Sequence, residues 1–143
     1  MKCSDVMSTR IQICQEDDTI NLCAERMRDC QIGFCPVVDE LQRVVGTVTD
    51  RDLAVRAVAE RRPWTTKVRE VMTPGTIMCR SNAPLRDAEI KMARHRISRI
   101  VVVDERESCV GVISLTDLVR VEARDRAGEV AYAVMQREAT PQS

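Results

Sequence analysis

The first half of the chain alternates short apolar runs with one amphipathic stripe. Ile11–Cys14 suffices for a short strand. Ile20, Cys23, Ala24 and Met27 then recur at the spacing of one helical face, with Asp17 or Asp18 ahead of them as N-cap. Phe34–Val38 is a continuous apolar run that predicts a buried strand, and the turn at Asp39-Glu40 leads to another strand at Val44–Thr49. The second half repeats this succession. Thr76–Cys79 reads as a strand, and Leu85, Ala88 and Met92 mark a helix capped by Ser81 or Asn82 ahead of Pro84. A buried run follows at Ile100–Val103, then a turn over Asp104–Ser108 and a strand at Val110–Ser114. Asp52 and Asp117 each open a further helix. The last one runs to about Met135 with Gly128 as its weak point, and Ala139–Ser143 is expected to fray. The order is β-α-β-β-α, twice, an α/β fold of the mixed α+β kind.

Comparison of the chain with itself explains the succession. A shift of 65 residues (72 minus 7) aligns Lys2-x-x-Asp5-Val6-Met7-Ser8 with Lys67-x-x-Glu70-Val71-Met72-Thr73. At that shift Cys14 meets Cys79, Met27 meets Met92, and Ile32 meets Ile97. Val37-Val38-Asp39-Glu40 meets Val102-Val103-Asp104-Glu105, Val45-Gly46 meets Val110-Gly111, and Asp52-Leu53 meets Asp117-Leu118. One ungapped register thus holds about 14 identities over roughly 59 positions, which establishes a duplication. The repeats run over 1–60 and 67–125, joined by a linker at 61–66 that contains Pro63 and Trp64, with a C-terminal helix and tail at 126–143. A unit of this size buries little apolar surface alone, so the halves are expected to pack sheet against sheet about a pseudo-twofold axis.

Composition narrows the function. With 44% hydrophobic and 31% charged residues the chain can build a core, and with only Phe34, Trp64 and Tyr132 as aromatics that core must be aliphatic. Lys plus Arg equals Asp plus Glu at 22 each, which argues against a nucleic-acid-binding surface. No apolar run is long enough to span a bilayer and the first residues lack the apolar core of a secretory signal, so no membrane association is expected. The seven cysteines include no CxxC pair, which suits reduced thiols and a cytoplasmic location. Cys14, Cys79 and Cys35 read as small buried apolar side chains, Met27 and Met92 as core, and Cys3, Cys23 and Cys30 as too dispersed for a zinc site. No metal site is therefore assigned. The single histidine, His95, reads as a partly exposed helix-end residue; with Cys79 or Cys109 it would make half a metal site. One histidine cannot serve two equivalent sites, and no nucleophile recurs with a base and an orienting group. Nothing here supports an enzyme.

The repeated chemistry lies in Gly-x-x-[Thr/Ser]-x-x-Asp-Leu. A strand ends at Thr49 or Ser114 and a helix starts within three residues, so the hydroxyl and the free N–H groups of the helix start can donate to an anionic oxygen. Asp52 or Asp117 can accept both hydrogens of a ribose diol. The same letters also write a capping box, with Thr49 or Ser114 as N-cap and the aspartate at N3.

These features together resemble tandem CBS (cystathionine β-synthase) motifs, a pair of which is called a Bateman module. The resemblance rests on Val-Met-[Ser/Thr] at the start of each copy, Pro36-Val37-Val38-Asp39, and the Gly-x-x-[Thr/Ser]-x-x-Asp-Leu close, over residues 2–60 and 67–125. It implies adenosine-type ligands (AMP, ADP, ATP, S-adenosylmethionine) in clefts between the motifs, held as regulatory ligands with no cofactor required. Thr49 and Ser114 would touch phosphate, and Asp52 and Asp117 the ribose. Ser8, Thr9, Ile13, Ile32 and Gly33 from copy one, and Thr73, Ile77, Ile97 and Ser98 from copy two, would line the adenine pocket. Each cleft would take its adenine wall from one copy and its aspartate from the other, and Ile32, Gly33, Ser114 and Asp117 give the better adenine fit. Arg51, Arg56 and Arg99 are the phosphate candidates. The copies differ where Pro36 is matched by Val101, and where Cys30, Gln31 and Phe34 are matched by His95, Arg96 and Arg99, so two equivalent sites are not expected.

The resemblance implies a regulatory adenine-nucleotide sensor that dimerises with itself through the Asp52–Ala59 and Leu118–Met135 helices and acts on an effector protein. Two other readings stay open: a structural dimerisation scaffold with vestigial pockets, and a metal- or redox-responsive module using the Cys/His set.

Overall fold

A computed structural model describes residues 1–121 and 124–139, with side chains outside 124–127 and 138–139. The first repeat contains α1 (Cys3–Val6), β1 (Cys14–Gln15), α2 (Ile20–Cys30), β2 (Phe34–Val38), β3 (Val44–Thr49) and α3 (Asp50–Asp52), which continues as a π-helix over Leu53–Val58. After a 3₁₀ turn at Val68–Glu70 come β4 (Thr73–Pro74), β5 (Met78–Arg80), α4 (Leu85–His95), β6 (Arg99–Val103), β7 (Cys109–Ser114), α5 (Leu115–Val121) and α6 (Arg124–Ala139). The fold is mixed α+β with two small sheets, ordered β1-β2-β3-β4 and β5-β6-β7. Beyond Ala139 the expected tail lies outside the described residues. No helix among the described residues is long and apolar enough to cross a membrane.

The hydrophobic pattern located the elements, and local chemistry shifted their ends. Strand β2 spans the predicted Phe34–Val38, and four of its five residues are buried, as a continuous apolar run requires. Helix α2 is capped by Thr19, whose hydroxyl accepts from Leu22 N, and not by Asp17 or Asp18. Asp18 is engaged elsewhere, since its Oδ2 accepts from Gln15 N at 2.9 Å and from Arg26 Nη1 at 2.8 Å. Neither Ser81 nor Asn82 caps α4, where Pro84 holds the N-cap position without a side-chain bond. Ala24, assigned to the buried face of α2, is exposed, leaving Ile20, Cys23 and Met27 as that helix's contribution to the core. The helix expected from Asp52 starts two residues earlier.

Two compact units arise, and they do not coincide with the repeats. One comprises Ile11–Thr76 with Arg106–Cys109; the other comprises Met1–Arg10, Ile77–Glu105 and the described residues from Val110 onward. Each repeat thus contributes its Val-Met-[Ser/Thr] opening to the unit that holds the other repeat's sheet. In the first unit Thr73 of β4 pairs with Thr47 and Pro74 with Gly46. In the second, Ser8 bridges Val112 through N–H···O bonds of 2.9 and 3.1 Å. Cys14, Cys23, Cys35, Val37, Val48 and Val71 are among the core residues of the first unit; Cys79, Leu85, Met92, Ile100, Ile113 and Leu118 are among those of the second.

The repeated glycine is explained by this exchange. A Cβ on Gly46 would lie 2.7 Å from Met72 Sδ and 2.8 Å from Thr73 O, and one on Gly111 would lie 2.6 Å from Met7 Sδ and 2.9 Å from Ser8 O. Sulfur can move, but the backbone oxygen belongs to the segment that pairs with the glycine's strand, β4 in one unit and the Ser8 bridge in the other. Gly46→Ala and Gly111→Ala should each cost about 1–3 kcal/mol in denaturant unfolding, the usual penalty for overpacking. The turns repeat as well: Gln42 and Glu107 both sit at φ 64°. Glycine at either position should raise stability by about 1 kcal/mol, because the left-handed region is costly only for residues with a Cβ.

Candidate functional site

Each predicted grip lies where a strand hands over to a helix. In the first unit Asp52 N donates to Thr49 Oγ1 at 3.1 Å and Thr49 N donates to Asp52 Oδ2 at 2.9 Å. In the second, Asp117 N donates to Ser114 Oγ at 3.2 Å, while Ser114 N and Oγ donate to Asp117 Oδ2 at 2.8 and 2.9 Å. Both pairs therefore close full capping boxes. Each box engages only the Oδ2 oxygen of its aspartate.

The other oxygen distinguishes the copies. Asp52 Oδ1 lies 3.7 Å from Arg56 Nη2, and Nη1 of the same guanidinium donates to Val71 O and to Thr73 Oγ1, both at 3.0 Å. Arg56 thus ties the π-helix to the exchanged opening and sets a positive charge beside Asp52. The position equivalent to Arg56 is Val121, and among the described residues Asp117 Oδ1 has no hydrogen-bond or ion-pair partner. One grip is charge-neutralised, the other open.

The predicted pocket residues divide between the two units, with Ile32 and Gly33 in the unit of Asp52 and not in that of Ser114 and Asp117. Ile13, Ile32, Gly33, Thr73, Arg51 and Arg56 belong with Thr49 and Asp52; Ser8, Thr9, Ile77, Ile97, Ser98 and Arg99 belong with Ser114 and Asp117. The turn before each central strand reaches its grip through the backbone, by Asp50 N to Gly33 O at 3.0 Å and Leu115 N to Ser98 O at 2.9 Å. Ser8, Thr9, Thr73, Arg51, Arg56 and Arg99 are exposed, while Ile13, Ile32, Gly33, Ile77, Ile97 and Ser98 are half-buried. Asp50 was not anticipated: its Oδ2 would lie 2.8 Å from a Cβ on Gly33, so a carboxylate flanks that pocket position. The clue was the register, in which Asp50 faces Leu115.

Cys23, too dispersed from the other cysteines along the sequence for a zinc site, meets Cys14 and Cys35 in space, with the three Sγ atoms within 4.8 Å of one another and all three residues buried. Hydrogen bonds from the Cys23 and Cys35 thiols, with the Arg26 guanidinium, hold the Cys14 thiol well below its ordinary range and correspondingly raise Cys23. His95 is exposed at the end of α4 and belongs to no metal-ligating group of three among the described residues.

Two pairs of hydroxyl and carboxylate, closed as capping boxes at matching strand ends, mark a duplicated β-α-β-β-α fold of the α+β class. The chain belongs to the CBS domain family, whose model matches residues 3–58 and 68–124. It is 36% identical over 114 residues to the CBS domain-containing protein YhcV of Bacillus subtilis, covering 80% of each chain. It is 33% identical over 129 residues to the uncharacterized protein YlbB of the same organism, covering 89% of this chain and 86% of that one. Among solved structures it resembles the CBS domain pair of protein MJ0100 in complex with 5′-methylthioadenosine and S-adenosyl-L-methionine. That likeness has a TM-score of 0.73 at 27% identity, over 85% of this chain and 94% of that chain.

Since both grips are also caps, Thr49→Ala and Ser114→Ala should each lower stability by about 1 kcal/mol. Exchanging the two hydroxyl residues, Thr49→Ser and Ser114→Thr, should change it by a few tenths, read from denaturant midpoints at unchanged slope.

Proposed function

We propose that this chain is a regulatory sensor of adenosine-type ligands (AMP, ADP, ATP or S-adenosylmethionine) and has no catalytic activity of its own. The observation that carries the reading is the open Asp117 Oδ1 beside a Ser114 fixed by its capping box. A carboxylate oriented by two donors on one oxygen keeps the other for a ribose diol, with no reorganisation needed on binding. Membership of the CBS domain family and the adenosyl ligands of the MJ0100 domain pair support the ligand class. Ser8, Thr9, Ile97 and Ser98 would line the Asp117 site, and Ile13, Ile32, Gly33 and Thr73 the Asp52 site. At the latter Arg56 would have to leave Asp52 for the ribose to bind, and would then be free to meet a phosphate. The Asp117 grip is therefore the tighter nucleoside site and the Asp52 grip the more phosphate-dependent one.

Output would pass to an effector protein through a cytoplasmic homodimer. Each unit leaves large apolar side chains exposed on its closing helices: Val55 and Val58 in one, Val119, Tyr132 and Met135 in the other. Such side chains suit a self-complementary contact. The scaffold reading has one observation in its favour, since both capping boxes are complete without a ligand.

Thermal unfolding with AMP, ADP, ATP, S-adenosylmethionine and adenosine decides between them. A ligand at 100 times its Kd adds about 2.7 kcal/mol, or roughly 5–10 °C in Tm for a chain of this size. Asp117→Ala should abolish the adenosine shift, and Asp52→Ala should reduce only that of the phosphorylated ligands. No shift with any of the five would leave the scaffold. Light scattering of wild type and Val58→Glu should show a dimer and a monomer.

A further inference from the structure

The internal repeat supplies a control for the cysteine cluster. Cys14 of β1, Cys23 of α2 and Cys35 of β2 come from three successive elements and converge on one point of the core, each at 0% exposure. At the shift of 65 residues (79 minus 14) their counterparts are Cys79, Ala88 and Ile100, also buried, at 2%, 0% and 0%. The same strand–helix–strand corner is therefore built in the second repeat with one sulfur and hydrocarbon. Packing does not demand three thiols there.

We propose that Cys14, Cys23 and Cys35 form a buried, all-sulfur site for a soft monovalent metal ion, copper(I). Three features select that ion. Thiolates favour soft metals over magnesium, calcium or manganese. No carboxylate or imidazole joins the cluster among the described residues, and the burial of all three residues leaves no place for a water ligand. Structural zinc takes four ligands, whereas three sulfurs suffice for a trigonal d¹⁰ ion of single charge. Charge balance points the same way. Two thiolates with copper(I) leave one negative charge, which the Arg26 guanidinium beside Cys14 moderates while it also donates to Ile13 O at 3.1 Å and pairs with Asp18 at 2.8 Å. The third sulfur completes the coordination, and the released protons pass to solvent. The ion enters by opening of β1, a two-residue strand at the edge of its sheet.

The test uses the full chain, reduced and anaerobic, offered copper(I) or zinc(II) against a competing chelator. The informative variant is Cys23→Ala with Cys35→Ile, which copies the second repeat's packing and so preserves the fold. Cys30→Ser controls for the exposed thiol, and Cys3→Val, copying Val68, controls for the pair that Cys3 forms with Cys79 in the other unit. Wild type, Cys30→Ser and Cys3→Val should each retain one copper(I), with sulfur-only coordination by X-ray absorption and a raised Tm. The double variant should fold, by circular dichroism, and retain none. The proposal is overturned if wild type retains no copper, if the folded double variant retains as much, if nitrogen or oxygen appears in the coordination shell, or if zinc is held in preference. Should the double variant not fold, Cys23→Ala alone replaces it, with the same retention criteria.

Discussion

The close contact between each repeat's opening and the other repeat's glycine is the constraint on which the rest of the structure depends. Met7 and Ser8 lie on Gly111, and Met72 and Thr73 lie on Gly46, each near enough to exclude a Cβ. The strand that carries the glycine gains an added neighbour, and the opening gains a buried side chain, Cys3 or Val68, in the core of the unit it joins. Neither repeat forms a compact unit from its own residues alone, since each unit draws on both. This gives the duplication a physical meaning: two copies are needed because each completes the other.

The same contact brings the two chemical motifs of the family together. Gly-x-x-[Thr/Ser]-x-x-Asp and Val-Met-[Ser/Thr] are far apart within a copy, yet Thr73 lies within reach of the guanidinium that also approaches Asp52. The capping box has two effects here. It starts the helix, and it orients one carboxylate oxygen while leaving the other available. Whether that second oxygen is open depends on a single position, Arg56 in one copy and Val121 in the other. One substitution in a duplicated scaffold is thus enough to make a charged site and a neutral one.

The two cores show how far the duplicated frame tolerates different contents. Where one corner holds Cys14, Cys23 and Cys35, the other holds Cys79, Ala88 and Ile100, with the strand–helix–strand path unchanged. The cation behind the first strand is kept as well, since Arg26 Nη1 donates to Ile13 O and Lys91 Nζ to Met78 O, at equivalent positions. Backbone geometry is preserved while the chemistry inside it varies, so functional differences between the copies must be sought in side chains.

The sequence by itself determined the duplication, the order β-α-β-β-α, the buried strand Phe34–Val38 and the two hydroxyl–aspartate pairs, because each is written in local periodicity or in a short motif at fixed register. It placed Thr49 with Asp52 and Ser114 with Asp117 correctly, since three-residue spacing at a helix start leaves little freedom. It could not show that Thr19 would displace Asp17 and Asp18 as the cap, because that depended on Asp18 being engaged by Arg26. Tertiary structure alone decided which opening joins which sheet, that Arg56 reaches Asp52 and Thr73, and that Cys23 meets Cys14 and Cys35. Those contacts join side chains from separate elements, and their distances follow from how the chain closes in space, to which spacing along the sequence is blind.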